Sequence, residues 1–184
     1  TTHSNNHMIP EELLTEDEVK KMVEVARTLR DKALISVLYE SGSRIGELLS
    51  LKIRNVQFDE HGAVLTVNGK TGMRRVRVVA SVPILATWMN NHPLREDIDA
   101  PLWISLGTRN RDKLLMYRTA SELIRSIAKK AGLKKRVYPH LFRHSRATYL
   151  ANHLTEAQMK QYFGWVQSSD MAATYVHLSG RDVD

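Results

Sequence analysis

The sequence contains no cysteine, so a disulfide framework, a thiolate metal site and a cysteine nucleophile are all excluded, and the fold must stand on packing. No run of about 18 apolar residues is present to span a bilayer. The N-terminal stretch also lacks the basic segment and apolar core of a secretory signal. A cytoplasmic protein with no membrane partner is expected. No Ser-His-Asp arrangement and no phosphate-cradling glycine loop stands out, so hydrolase and NTPase readings find no support. Internal repeats and low-complexity segments are absent as well.

What is there is 184 residues, 42% of them hydrophobic, enough for one globular domain with a real core. Lys and Arg number 27 against 20 Asp and Glu, a formal net charge of +7. Such an excess favours a polyanionic partner, nucleic acid first, although many basic proteins bind none. Residues 1–8 (TTHSNNHM) are polar and are expected to be an appended tag outside the fold. The domain is expected to occupy residues 9–184.

Thr15 followed by Glu18 has the form of a capping box, and Val19, Met22, Val23, Ala26 and Leu29 then recur at helical spacing. The apolar run from Asp31 to Ser41 predicts a more deeply buried second helix closed by Gly42. Ser43 is placed to cap a third, through Ile45, Leu48, Leu49 and Leu51. Between Asn55 and Val79 the signal turns to β, with three antiparallel strands and a Gly-rich basic turn around Asn68 to Met73. Pro83 to Asn91 returns to helical spacing, and Pro93 to Arg111 reads as loop with an apolar patch at Leu102, Trp103 and Ile104. Thr119 with Glu122 suggests a second capping box for a helix ending near Gly132. Pro139 suits the first turn of a helix from about His140 to Asn152, and Thr155 with Glu156 opens another that closes at Gly164. A last short helix would hold Ala172, Ala173, Tyr175 and Val176. The fold class expected is mainly α with a small three-stranded antiparallel sheet.

Cutting a phosphodiester without a metal needs fixed cationic donors around a transition state that gathers charge on the non-bridging oxygens. Arginine suits this best, because its planar fork donates two parallel hydrogen bonds and does not titrate in the working range. A nucleophile must attack, and the leaving 5′-oxygen must receive a proton. Residue types for every role occur in order: Arg44 at a helix start, Lys70 in the hairpin turn, His140 and Arg143 on one helix face, Trp165 after Gly164, and Tyr175.

The stretches Ser41-Gly42-Ser43-Arg44-Ile45-Gly46-Glu47-Leu48, His140-Leu141-Phe142-Arg143-His144-Ser145, Phe163-Gly164-Trp165 and Ala173-Thr174-Tyr175-Val176-His177 resemble the signature boxes of tyrosine recombinases of the phage-integrase type. The resemblance runs from about Pro10 across nearly the whole chain. It implies that Arg44 and Arg143 clamp the scissile phosphate, that His140 assists proton transfer and bonds the same phosphate, and that Tyr175 is the nucleophile. Lys70 resembles the family's hairpin lysine, the general acid for the 5′-hydroxyl. Trp165 stands where most members have histidine and some tryptophan; its indole N–H can donate to a phosphate oxygen but cannot shuttle a proton. Glu47 and His144 match supporting positions. The resemblance implies no cofactor and a double-stranded DNA partner, on which the full-length protein would be tetrameric. The family's N-terminal core-binding domain has no counterpart here and the chain stops nine residues after Tyr175, so this chain alone is expected to bind DNA weakly and to be a monomer. The ending from Tyr175 to Asp182 also resembles archaeal members.

Each residue taken singly has a plainer reading: Arg44 salt-bridged to Glu47, Lys70 a solvated turn charge, Tyr175 and Trp165 packing aromatics. Their joint order reverses that weight. His140 and His144 have zinc-pair spacing but no third ligand, so no metal is expected. Arg74, Arg75, Lys134, Lys135 and Arg136 are candidate contacts to the DNA backbone, which would give steep salt dependence. Two rival readings stay open: a type IB topoisomerase, which would relax supercoils without site preference, and a non-catalytic DNA-binding module.

Overall fold

Thr15 and Glu18 exchange hydrogen bonds, Glu18 N–H to Thr15 Oγ1 at 3.1 Å and Thr15 N–H to Glu18 Oε1 at 2.9 Å, and this box starts helix α1 (Glu16–Val25). The computed structural model describes residues 9–163 except Thr71; Trp165, Tyr175 and the expected last helix lie outside the described residues. Helix α1 ends earlier than its apolar spacing suggests. Thr28 Oγ1 accepts from Asp31 N–H at 3.0 Å, so Leu29 opens helix α2 (Leu29–Ser41) rather than extending α1. At the other end Gly42 takes the left-handed conformation, φ 62°, which carries little penalty for glycine alone.

Helix α3 (Ile45–Leu49) follows, then strands β1 (Val56–Asp59), β2 (Gly62–Gly69) and β3 (Gly72–Val78), paired antiparallel in the order β1-β2-β3. Helix α4 (Val82–Asn90), α5 (Tyr117–Lys130), α6 (Pro139–Leu150) and α7 (Glu156–Phe163) complete the described chain. The domain is therefore mainly helical with one small sheet, as the periodicity predicts.

Helix α2 is the hub. Ala33, Leu34, Ile35, Val37 and Leu38 are fully buried, with α1, α4, α6 and β3 packed around them; each such aliphatic side chain contributes about 1.5–3 kcal/mol by leaving water. The sheet turns Ala63, Leu65, Val67, Val76 and Val78 inward, following the two-residue alternation of a half-buried strand. Helix α6 is rooted by Leu141 and Phe142, both fully buried, and by Ser145, whose Oγ accepts Leu14 N–H at 2.8 Å and donates to Leu141 O at 2.7 Å.

Two local expectations are corrected. Ser43 does not cap α3: Arg44 is the residue before the helix, the Glu47 carboxylate accepts its N–H at 3.0 Å, and Ser43 Oγ is buried with no hydrogen-bond partner among the described residues. Thr119 and Glu122 form no capping box, because α5 already begins at Tyr117 after Met116; Glu122 pairs instead with Arg118, one turn before it, at 3.5 Å. The stretch around Leu102, Trp103 and Ile104 is irregular chain as expected, and its apolar patch belongs to the core, since all three are fully buried. Leu102 N–H donates to Leu51 O and Leu115 N–H to Trp103 O, each at 2.9 Å, while Trp88 Nε1 donates to Leu102 O at 3.1 Å. Its backbone is thus satisfied inside the domain, the condition on which irregular chain can be buried. Among the described residues no helix is long and apolar enough to cross a membrane.

Candidate active site

The turn between α2 and α3 brings the first two cationic groups together. Gly42 O, at the left-handed end of α2, accepts a buried hydrogen bond from Arg143 Nη1 at 2.7 Å. Two residues on stands Arg44, exposed and in extended conformation (φ −67°, ψ 143°). Arg143 is 3% exposed, so its guanidinium is fixed by the fold before any ligand arrives, while the Arg44 side chain looks outward at solvent. His140 lies on the same helix as Arg143, close to one turn earlier, and its ring is exposed.

His140 is electrostatically coupled to both arginines. Its pKa is pushed below the ordinary histidine value, first by the partial loss of solvent around the ring and then by the positive charges of Arg143 and Arg44. The imidazole is therefore neutral near pH 7 and able to accept a proton. His144 meets it edge to face, ring centroids 4.5 Å apart at 89°. Burial, His140 and Arg143 hold the His144 pKa down to about 4, so this second ring is neutral too. Among the described residues no group of three or more histidine or acidic side chains is placed to hold a metal ion.

Glu47 is the carboxylate among these cations. It is 7% exposed, and besides the Arg44 amide it accepts Arg74 Nη2 on Oε1 at 3.3 Å and Arg74 Nη1 on Oε2. Burial alone would raise its pKa, but hydrogen bonding and charge from Arg74, then the Arg44 amide and Arg143, outweigh it and the net shift is downward. Glu47 stays ionised.

Lys70 is exposed at the tip of the β2–β3 hairpin. The strands run closer to the tip than the glycine signals suggest, to a Gly69↔Gly72 pair, with Lys70 just past the end of β2. Gly72 has φ +107°, a conformation that a side chain would strain.

Of the expected site residues, then, Arg44, His140 and Arg143 gather around the α2–α3 turn and the start of α6, with Glu47 and His144 behind them. Trp165 and Tyr175 fall outside the described residues. The expected DNA contacts divide. Arg75, Lys134 and Arg136 are exposed, Arg136 lying over the Tyr138 ring at 5.1 Å. Arg74 and Lys135 have internal partners instead: Arg74 pairs with Glu47, and Lys135 Nζ donates to Leu13 O at 2.7 Å and to Glu18 Oε1 at 2.8 Å. These bonds already take two donors of each side chain, so neither is a freely solvated charge. The sequence reading missed two backbone contributors, the Gly42 carbonyl that holds Arg143 and the close approach of Gly69 to Glu47. Gly42 two residues before Arg44 and Gly69 immediately before Lys70 were the available signals.

A model of the phage integrase family matches residues 12–181. The chain belongs to the phage integrase family. Curated relatives include the tyrosine recombinase XerA of Pyrococcus horikoshii, 40% identical over 148 residues that make up 79% of this chain and 50% of that protein. Transposase A from transposon Tn554 of Staphylococcus aureus is 28% identical over 181 residues, 92% of this chain and 50% of that one. The chain thus spans about half the length of the curated relatives it matches. Among solved structures, a XerA recombinase crystal structure superposes with a TM-score of 0.74 at 27% identity, covering 100% of this chain and 68% of that one. A lambda integrase dimer bound to a COC′ core site has the same fold, with a TM-score of 0.69 at 20% identity over 100% of this chain and 53% of that one. The sequence resemblance to this family is therefore borne out, and its archaeal flavour agrees with the Pyrococcus relatives.

Proposed function

We propose that residues 9–184 are the catalytic domain of a site-specific recombinase that cuts and rejoins double-stranded DNA through a 3′-phosphotyrosyl intermediate on Tyr175. The observation that carries this reading is the cationic pocket built before any ligand binds: Arg143 held by Gly42 O, Arg44 two residues further along, and a neutral His140 within the field of both. A guanidinium fixed at Arg143, with the exposed Arg44 beside it, can take the non-bridging oxygens of a phosphate.

The step balances as follows. The Tyr175 oxygen attacks phosphorus, its proton passing to the neutral His140 imidazole, and an oxygen–phosphorus bond forms. The P–O5′ bond breaks, and Lys70 gives its proton to the departing 5′-oxygen. Rejoining reverses the sequence with a second DNA 5′-hydroxyl as nucleophile, so bond energy is conserved and no cofactor is consumed. Trp165 donates an indole N–H to a phosphate oxygen, while Arg75, Lys134 and Arg136 meet the DNA backbone. The working assembly is a tetramer on DNA in the cytoplasm, at the nucleoid, and this chain alone is a weakly binding monomer.

The test is a nicked suicide duplex carrying a candidate attachment site, incubated with wild type and Tyr175→Phe in the presence of a chelator and resolved on denaturing gels. A DNA-linked band in wild type that is absent from Tyr175→Phe supports the proposal. No band from this chain would favour the non-catalytic DNA-binding reading, and relaxation of supercoils without site preference would favour a topoisomerase.

A further inference from the structure

The Arg74–Glu47 pair is nearly buried, its two side chains 10% and 7% exposed. A buried ion pair adds little net stability, since desolvation offsets most of the attraction, and an apolar contact would fasten a hairpin to a helix at least as firmly. What such a pair provides is geometry, because each hydrogen bond fixes a direction. Here the geometry is specific. The Glu47 carboxylate holds the Arg44 amide on one side at 3.0 Å. On the other it takes both terminal nitrogens of Arg74, which lies on β3 opposite Val67 of β2. It also abuts Gly69, where an added Cβ would land on Glu47 Oε2. Gly69 is the residue before Lys70. One carboxylate therefore touches both strands of the hairpin beneath its tip and the backbone of the residue that presents the phosphate-clamping Arg44.

We propose that Arg74 is a positioning residue: by gripping Glu47 it seats the hairpin against the start of α3, and so fixes where Lys70 stands relative to Arg44 and the leaving 5′-oxygen. This rests on the proposed function. It takes Arg74 out of the set of DNA-backbone contacts and gives the β2–β3 hairpin a defined seat, although its tip is exposed.

The step on which the seat is proposed to act is delivery of the proton to O5′, and a modified substrate isolates that step. A duplex with sulfur in place of the bridging 5′-oxygen at the scissile position releases a thiolate, which leaves without a proton. Adduct formation is timed for wild type, Arg74→Met, Arg74→Lys and Gly69→Ala on the oxygen and the sulfur substrates, each protein first checked for an unchanged melting profile. Loss of a positioned general acid is worth about 100-fold or more. Arg74→Met should therefore slow on the oxygen substrate by about 100-fold and on the sulfur substrate by only a few-fold, a pattern Lys70→Ala should share. Gly69→Ala, which keeps Arg74 but displaces Glu47, should repeat the pattern more weakly, and Arg74→Lys should recover part of the rate. Equal losses on the two substrates, or no loss on oxygen, would overturn the inference while leaving the wild-type adduct, and with it the proposed function, intact. No wild-type adduct on either substrate would overturn the proposed function and this inference together.

Discussion

On the helical side of the site Arg143 is 3% exposed, rooted beside a fully buried Phe142 and tied to the Gly42 carbonyl; on the hairpin side Lys70 stands exposed at the end of two strands, with the Glu47–Arg74 pair beneath it. Arg143 is placed by the same packing that makes the fold, so it cannot move without disturbing the core. The hairpin group is placed by a polar latch that can be altered while the core stays whole. For the proposed reaction, this division means that the seat of the proton donor can be altered by substitution without removing the buried Arg143.

The contrast can be broken or sharpened in several ways. Replacing Arg143 by Ala should slow adduct formation by about 1000-fold or more on oxygen and sulfur substrates alike, because a fixed donor to the phosphate is lost rather than a proton. Arg143→Lys should rescue little, since an ammonium cannot span two oxygens. Single-turnover rates check both; a rate that recovers on the sulfur substrate would place Arg143 on the proton-delivery side. Phe142→Ala should cost about 3–5 kcal/mol of unfolding free energy in a denaturant titration, as cavities under well-packed aromatics do. A loss below about 1 kcal/mol would mean that α6 is not the rigid wall described.

The histidine pair supplies a pH signature of the helical side. His144 is held to about 4 in the folded protein, against about 6.5 in the unfolded chain. The unfolded state therefore takes up a proton first, and stability falls as pH drops from about 6.5 towards 4, by at most about 3 kcal/mol. Chemical denaturation of wild type and His144→Gln across that range should show a shallower slope for the variant; parallel slopes would contradict the assignment. At the small end, Met73→Ala on the hairpin, where the side chain is 73% exposed, should change stability by less than about 0.5 kcal/mol, and a larger effect would show the hairpin to be packed more tightly than its exposure indicates.

Much of this arrangement was legible in the residues because the signals were local. The Thr15 box, the glycine stop at Gly42, the alternation through β2 and β3 and the helix-starting Pro139 each state a rule of backbone chemistry within a few positions. What escaped was set by residues distant in the chain. Leu102, Trp103 and Ile104 read as a patch in a loop because nothing near them reveals that Leu51 and Leu115 will satisfy their backbone. Thr119 and Glu122 have the spacing of a cap, yet α5 starts before them. Charge was the least legible property. Arg74 and Arg75 are adjacent and chemically alike, but alternation along β3 leaves Arg75 exposed while Arg74 reaches Glu47. Lys134 and Lys135 split in the same way, with Lys135 taken by Glu18.

The most direct test of the account is to find the atom that carries the DNA. Wild-type protein trapped on the suicide duplex is digested with nuclease and trypsin, and the nucleotide-bearing peptide is sequenced by mass spectrometry. With six tyrosines in the chain, the account predicts a 3′-phosphoryl adduct on Tyr175 alone; an adduct on any other residue, or linkage through a 5′-phosphate, would contradict it.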